Sequence, residues 1–526
     1  TDRVFGRASY TVRDPERSGM TTTTLHSGLA VPATQLRRRL DPASLPFDTT
    51  AEVEPLAGTI GQPRAIDAIA FGLEVNADGY NLYVAGTPGS GRETAVLDAL
   101  KQFAVTRPAP SDWVYVHNFV DPAQPSAIAL PPGKGGRFAK DMHDLVESAR
   151  REIPRAFDSE DFARRQEEAI GDLTRQRDEL FQQTQAFAAE RGFTIQVTPA
   201  GVITVPVMQG RPLSGEEFER LPPEVKQELT RRSAEIQERI TETLRATRQI
   251  EKQAAERVNQ LVREVALFVV GPHLDDLREA YGDSPEILTY LDQVQNDLPE
   301  HLHDFMPTPG DQGMAPFQQL QQEEHLARYE VNVFIDNSRA SGAPVIYERN
   351  PSYYNVLGRI DYRASFGAMT TDFRQIHPGA LHRANGGFLI LQVVDLLRSP
   401  YAWDGLKRAL LCHEVQVENL GEQLTPLPTA RLRPEPIPLN VKVILIGQPA
   451  IYHLMLAADE DFQELFKVKA DFAPDMAWSD EHVHNYAAFI SGTVRRHDLR
   501  HFDRGAAGSV RTSGSSRPGG LTWGTS

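Results

Sequence analysis

Cysteine is almost missing from this chain: Cys412 is the single one in 526 residues. That excludes an internal disulfide framework and fits a reducing compartment. Cys412 itself reads as a small core residue. Long apolar runs are missing too, and none approaches the roughly 20 residues that a bilayer span requires. Positive charge is short: 55 Lys and Arg stand against 71 Asp and Glu, a net charge of −16. That balance excludes broad nucleic-acid binding through a basic surface. Residues 1–19, ahead of Met20, lack the apolar centre of a signal peptide and read as an extension upstream of the true start. The expected location is the cytoplasm, with no membrane partner.

What is present begins with length. A chain of this size exceeds one hydrophobic core, so two to four domains are expected. The first 32 or so residues are polar and irregular. Asn81-Leu82-Tyr83-Val84-Ala85 is an apolar run, followed by Gly86-Thr87-Pro88-Gly89-Ser90-Gly91-Arg92-Glu93-Thr94 and a helix-prone stretch. Strand, glycine loop and helix form the context of a phosphate-binding loop, in which backbone N–H groups and the helix N-terminus face phosphate oxygens. The side chains break the pattern. Arg92 stands where Lys is wanted, and Glu93 where Ser or Thr would hold Mg2+.

From about Gly136 to Leu302 the chain turns rich in Glu, Arg and Gln. Leu229, Ile236, Ile240 and Leu244, then Ile250, Ala254, Val258, Leu261, Val265 and Phe268, predict an apolar seam on a long helix. An earlier helical stretch carries Ile170, Leu173, Leu180 and Phe187. Phe193–Val197 and Val202–Val205 alternate around Thr198-Pro199-Ala200-Gly201, which predicts a β-hairpin. The reading is an antiparallel helical hairpin with a small β tip. Strand patterns return at Trp113–Val116, Tyr329–Ile335, Gly387–Leu391 and Val441–Gly447. The tail from about Gly505 resembles neither a domain nor a helix.

The Gly387–Leu391 strand ends in Gln392-Val393. Ring ATPases place Asp-Glu at such a strand end, the Asp for Mg2+ and the Glu for the attacking water. Gln binds Mg2+ poorly and Val accepts no proton. Asp395 is expected off the strand end, pointing elsewhere. His301-Leu302-His303 and His482-Val483-His484 read as solvated surface histidines, His377 and His382 as structural, and no metal site or catalytic residue is assigned.

The block Val331–Leu391 carries a resemblance. It includes Ala343-Pro344-Val345-Ile346-Tyr347-Glu348, Asn355-Val356-Leu357-Gly358-Arg359-Ile360 and Thr371-Asp372-Phe373-Arg374-Gln375-Ile376-His377-Pro378-Gly379-Ala380-Leu381-His382-Arg383-Ala384-Asn385-Gly386-Gly387. This resembles the Lon-related ATP-dependent proteases, the LonC-like branch of the AAA+ proteins. The resemblance implies an α/β AAA+ core with a parallel sheet, interrupted by the long helical insertion with its β-hairpin tip. It also implies a homo-oligomeric ring, a hexamer, with ATP between subunits and proteins as substrates. Gly358–Gly367, with Tyr362 and Phe366, occupies the place of a substrate-gripping pore loop, and Lys467 that of a neighbour's arginine. The expected segments are 1–35 (disordered extension), 36–135 (first core half with the loop), 136–315 (helical insertion), 316–475 (second core half) and 476–526 (start of a helical lid, then irregular tail). Family-like text fades after Phe502-Asp503-Arg504 into Thr512–Gly520, as a reading-frame shift would leave it. The expectation is a module without the Ser–Lys protease dyad, whose ATP is held weakly or left unhydrolysed and whose Mg2+ is doubtful. The other expectation is a non-enzymatic AAA+-shaped scaffold or adaptor.

Overall fold

In a computed structural model of the chain, the described residues are 40–56, 58–198, 201–208, 210–306, 315–365, 368–420, 432–477, 479–509 and 520–522. The readings placed on residues 1–35, on the Pro199-Ala200 turn, on Phe366 and Gly367 and on residues 512–519 lie outside them. The fold is mixed α/β. Its five-stranded parallel sheet has the order Val468–Asp471, Leu82–Ala85, Lys442–Gly447, Phe388–Gln392, Val345–Glu348. The chain divides into two compact units, one of residues 1–99 with 446–526 and one of residues 100–445.

In the first unit, Leu82–Ala85 pairs in parallel with Val468–Asp471, Leu82 opposite Val468 and Ala85 opposite Asp471. All four residues of Leu82–Ala85 are buried, as suits a central parallel strand. Helix Pro63–Glu74 begins on a proline, whose missing N–H costs nothing at that position, and buries Ala65, Ile69 and Leu73. Tyr83 packs edge-on against Tyr452 and Phe462, with ring centres 5.0 and 6.0 Å away. Burial of such rings is worth roughly 2–3 kcal/mol each. A smaller core joins Leu45, Phe47 and Val53 to Val483, Ala487 and Ala488 of helix Asp480–Arg496. The tail departs from its expected irregularity. Arg504–Ser509 is a short helix that buries Ala507 in this same core, and Gly520–Thr522 pairs with Asp475–Ala477. Arg504 Nε donates to the Phe47 carbonyl at 2.8 Å. One buried alanine, the Arg504 guanidinium and a short strand pairing hold these described parts of a segment too poor in apolar residues to show periodicity.

In the second unit, Asp112–Val116 pairs antiparallel with Ser126–Leu130 and with Val331–Ile335. This corrects the reading of Trp113–Val116 and Val331–Ile335 as strands of the α/β core halves: they form a separate three-stranded sheet. Val331, Asn332 and Val333 are only half-buried, the mark of a sheet covered on one face. Lys134–Phe157 covers that face with Phe138, Met142, Leu145 and Ile153, and its core continues into Leu274, Ile287 and Tyr290. The fully buried Asp112 ties the sheet to its surroundings: Oδ2 accepts from Gly135 N–H at 2.8 Å and Oδ1 from Asn337 N–H at 2.7 Å.

The helical hairpin is Glu160–Glu190 against Pro223–Ala280, a helix of 58 residues. Ser159 caps the first by accepting from Phe162 N–H. Phe193–Thr198, Gly201–Met208 and Arg211–Pro212 form the three-stranded tip. Ile236 and Ile240 are buried with Ala188 and Phe193, and Leu229 packs beside them. Further along, the seam leaves its expected phase. Ala266, Val270, Leu274 and Leu277 are buried, while Phe268 is 83% exposed. A rigid period drifts out of register over so long a helix. Pro272 also stands inside it and leaves the Phe268 carbonyl without its helical donor. Cys412 is another correction: it is exposed, at the last residue of helix Ala402–Cys412, past the buried face of Ala402, Leu406, Ala409 and Leu410. Among the described residues, no helix is long and apolar enough to cross a membrane.

Candidate functional site

The glycine loop lies wholly in the first unit, between Leu82–Ala85 and helix Arg92–Ala104. Gly86 and Ser90 are buried, Thr87, Pro88, Gly89 and Thr94 are exposed, and Gly91, Arg92 and Glu93 are half-buried. Gly86 N–H donates to the Gly447 carbonyl at 3.1 Å, and Ser90 N–H closes a turn on the Thr87 carbonyl at 3.2 Å. A Cβ on Gly86 would lie 2.8 Å from Ser90 Oγ and 2.9 Å from Phe472 Cβ, so the turn has no room for a side chain. Gly91 has φ +81°, which lets the chain enter the helix in a left-handed conformation.

Arg92 makes the decisive contacts. Its Nη1 donates to the Gly86 carbonyl, and also to the Gly447 carbonyl at 2.5 Å. The guanidinium therefore ties the start of the loop to the end of strand Lys442–Gly447 rather than standing ahead of the loop as a phosphate-binding ammonium would. Beneath it, Tyr83 donates its hydroxyl to the Gln448 carbonyl at 3.0 Å. Burial raises that hydroxyl's pKa, and the Arg92 charge opposes the rise only in part. Ser90 Oγ is buried and bonds to no protein group. An orphaned hydroxyl inside a glycine loop at a helix N-terminus fits an anion held by the loop. The loop backbone thus suits a phosphate group. Glu93 does not suit Mg2+ beside phosphates, because a carboxylate there repels the oxygens that a neutral hydroxyl would leave free.

Lys467, of the first unit, is turned inward onto its own chain. Its Nζ donates to the Asp78 carbonyl at 3.1 Å and lies over the Tyr80 ring.

Three further predicted positions lie in the second unit. Gln392 ends its strand with Nε2 donating to the Tyr347 hydroxyl at 2.7 Å. Val393 is fully buried. Asp395 lies in the first turn of the next helix and pairs with Arg398 at 3.6 Å. The Ala-Asn-Gly-Gly segment is structural here: Asn385 Nδ2 donates to the Pro438 carbonyl and its Oδ1 accepts from Asn440 N–H, both at 2.8 Å. His382 is buried, with Nδ1 accepting from Gly379 N–H at 3.2 Å and Nε2 lacking a partner. Burial pushes its pKa down to about 3. His377 meets Asp361 at 3.2 Å. In the expected pore-loop region, Arg363–Ser365 and Ala368–Thr370 pair antiparallel and Tyr362 is half-buried.

Sequence reasoning missed the Tyr347 partner of Gln392, the unpaired Ser90 hydroxyl and the company of His303. None leaves a spacing signal, since each depends on residues joined by the fold.

Known proteins bear on this geometry. Residues 341–473 match the model of the LonB-like AAA domain. Residues 112–145 match that of the Lon-like LonC helical domain. No curated protein matches the chain. The crystal structure of NtrX from Brucella abortus aligns at 15% identity and a TM-score of 0.21, covering 49% of this chain. The chain spans 55% of that structure's length. Residues 341–473 are thus similar to a LonB-like AAA domain and residues 112–145 to a LonC helical domain, in a chain that carries a parallel sheet and a glycine loop on one of its strands.

Proposed function

We propose that this chain serves as the AAA+ module of a Lon-type assembly, holding ATP through its loop backbone with turnover very slow or absent. The observation that carries this reading is Arg92, spent on the carbonyls of Gly86 and Gly447. The amides of Gly89 and Gly91 at the helix N-terminus are offered to phosphate oxygens. Hydrolysis lacks several groups at once: a lysine, a magnesium-binding hydroxyl and the acidic pair whose places Gln392 and Val393 take. Each normally supplies a few kcal/mol of transition-state stabilisation. The module assembles as a homo-oligomeric ring in the cytoplasm and takes proteins as substrates, gripped by the segment Gly358–Gly367. Titration with a fluorescent ATP analogue tests the reading. Saturable binding that needs no Mg2+, with phosphate release at background, is the expected result; no binding overturns it.

A second reading, a non-enzymatic scaffold or adaptor, is favoured by Val393, whose full burial leaves no place for a catalytic carboxylate. Light scattering with and without ATP separates the two: a scaffold assembles equally well in both.

A further inference from the structure

The second unit brings three metal-ligating side chains together where the helical insertion ends. His303 and Asp304 lie on the turn Leu302–Phe305, and His325 near the end of helix Ala315–Leu326. His325 Nδ1 is 2.8 Å and His303 Nε2 3.1 Å from the same oxygen, Asp304 Oδ1. The three donor atoms all lie within 4.8 Å of one another. We propose that His303, Asp304 and His325 form a binding site for a divalent late transition ion of the Zn2+ class.

The donor set argues for that class. Two imidazole nitrogens and one carboxylate oxygen suit Zn2+ and its neighbours, whereas Mg2+ and Ca2+ prefer oxygen alone. Donors of a tetrahedral site with bonds of about 2.0–2.1 Å stand roughly 3.3 Å apart. Small side-chain shifts therefore admit one ion between the three. On binding, the lone pairs of His303 Nε2 and His325 Nδ1 turn to the metal, and each ring proton moves to the outer nitrogen. The fourth position opens to solvent, because the His303 and His325 side chains are 71% and 52% exposed.

The surroundings prepare Asp304 for this task. Its side chain is only 2% exposed, and a buried carboxylate needs partners. Arg328 Nη2 takes Oδ2 at 3.2 Å, which aims Oδ1 at the histidines. Gln322 Nε2 donates to the Asp304 carbonyl at 2.7 Å and fixes the turn. The Arg328 charge opposes a cation, and Asp297, 3.8 Å from Arg328 Nη1, offsets part of it. A bound ion would cross-link the turn to helix Ala315–Leu326 at their polar edge, beside the core that Leu302, Phe305 and Leu326 already share.

Calorimetric titration of the full chain with ZnCl2 alone, in chelator-free buffer, tests the site. One equivalent should bind, and MgCl2 should give no saturable signal. His303→Ala and His325→Ala, both at exposed positions, should each weaken Zn2+ binding more than about 100-fold, beyond the loss expected for an outer-shell partner. Co2+ gives a second measurement: visible absorption of a four- or five-coordinate N/O site, quenched by Zn2+. Absence of saturable Zn2+ binding, or wild-type affinity in both variants, overturns the proposal.

Discussion

Gln392 gives its side-chain amide to the hydroxyl of Tyr347, 2.7 Å away on the neighbouring strand. A Mg2+-binding carboxylate at that strand end would need its oxygens free, so the bond marks a residue recruited to hold the sheet together. Tyr347→Phe should cost about 1 kcal/mol, as expected for a hydrogen bond removed from a half-buried donor. Urea unfolding measures it. Gln392→Asp should leave phosphate release at background, because Val393 beside it still supplies no base.

Arg92 offers a sharper test. A phosphate-binding cation tolerates Lys, whereas this brace is made by Nη1 alone at the far end of the Arg92 side chain, beyond the reach of the shorter Lys stem. Arg92→Lys should therefore behave like Arg92→Ala. Both should weaken binding of a fluorescent ATP analogue roughly tenfold to a hundredfold, the worth of hydrogen bonds to a charged group. Wild-type affinity in the Lys variant, with loss only in Ala, would instead place the side chain on phosphate.

His382 gives a pH dependence whose sign is fixed. Burial holds its folded pKa near 3, below the 6.5 of an exposed imidazole. Protonation thus favours the unfolded chain. The stabilisation is complete above about pH 6.5 and is lost as pH falls toward 3. Between pH 7 and 5 this one group removes about 2 kcal/mol. Comparing urea midpoints at both pH values for wild type and His382→Gln should show a shallower loss in the variant.

In the helical hairpin, Thr184 Oγ1 and Thr243 Oγ1 meet at 2.7 Å, both buried, while Thr184 also donates to the Leu180 carbonyl at 2.8 Å. Thr243 is then the donor between them. Thr184→Val should cost about 1–2 kcal/mol by orphaning it, and the double Val variant should cost less than the sum of the singles. A double-mutant cycle from thermal unfolding measures the coupling.

Local patterns announced the parallel strands, the glycine loop and the β tip, because each is written in a few consecutive residues. The residues Val331–Leu391 carried the family, and much of that stretch lies in the matched AAA domain. What stayed hidden depends on partners far along the chain. In the sequence Arg92 is only a departure from the expected Lys; its role depends on the Gly447 carbonyl, far along the chain. The sheet of Asp112–Val116 and Val331–Ile335 joins strands separated by the whole insertion, so alternation could mark them as strands but could not assign their sheet. Cys412 misled because residue type predicts burial only on average, and a helix terminus overrode it.

The helix Pro223–Ala280 is a mechanical beam. Its buried residues Leu274 and Ile236 are 274 − 236 = 38 positions apart, about 57 Å at 1.5 Å per residue. Antiparallel pairing with Glu160–Glu190 stiffens it, and Pro272 weakens it near the anchored end. A tilt of about 6° at that end would carry the β tip about 6 Å over such a length. Small repacking around Leu274 would thereby be converted into a displacement large enough to make or break contacts at the tip.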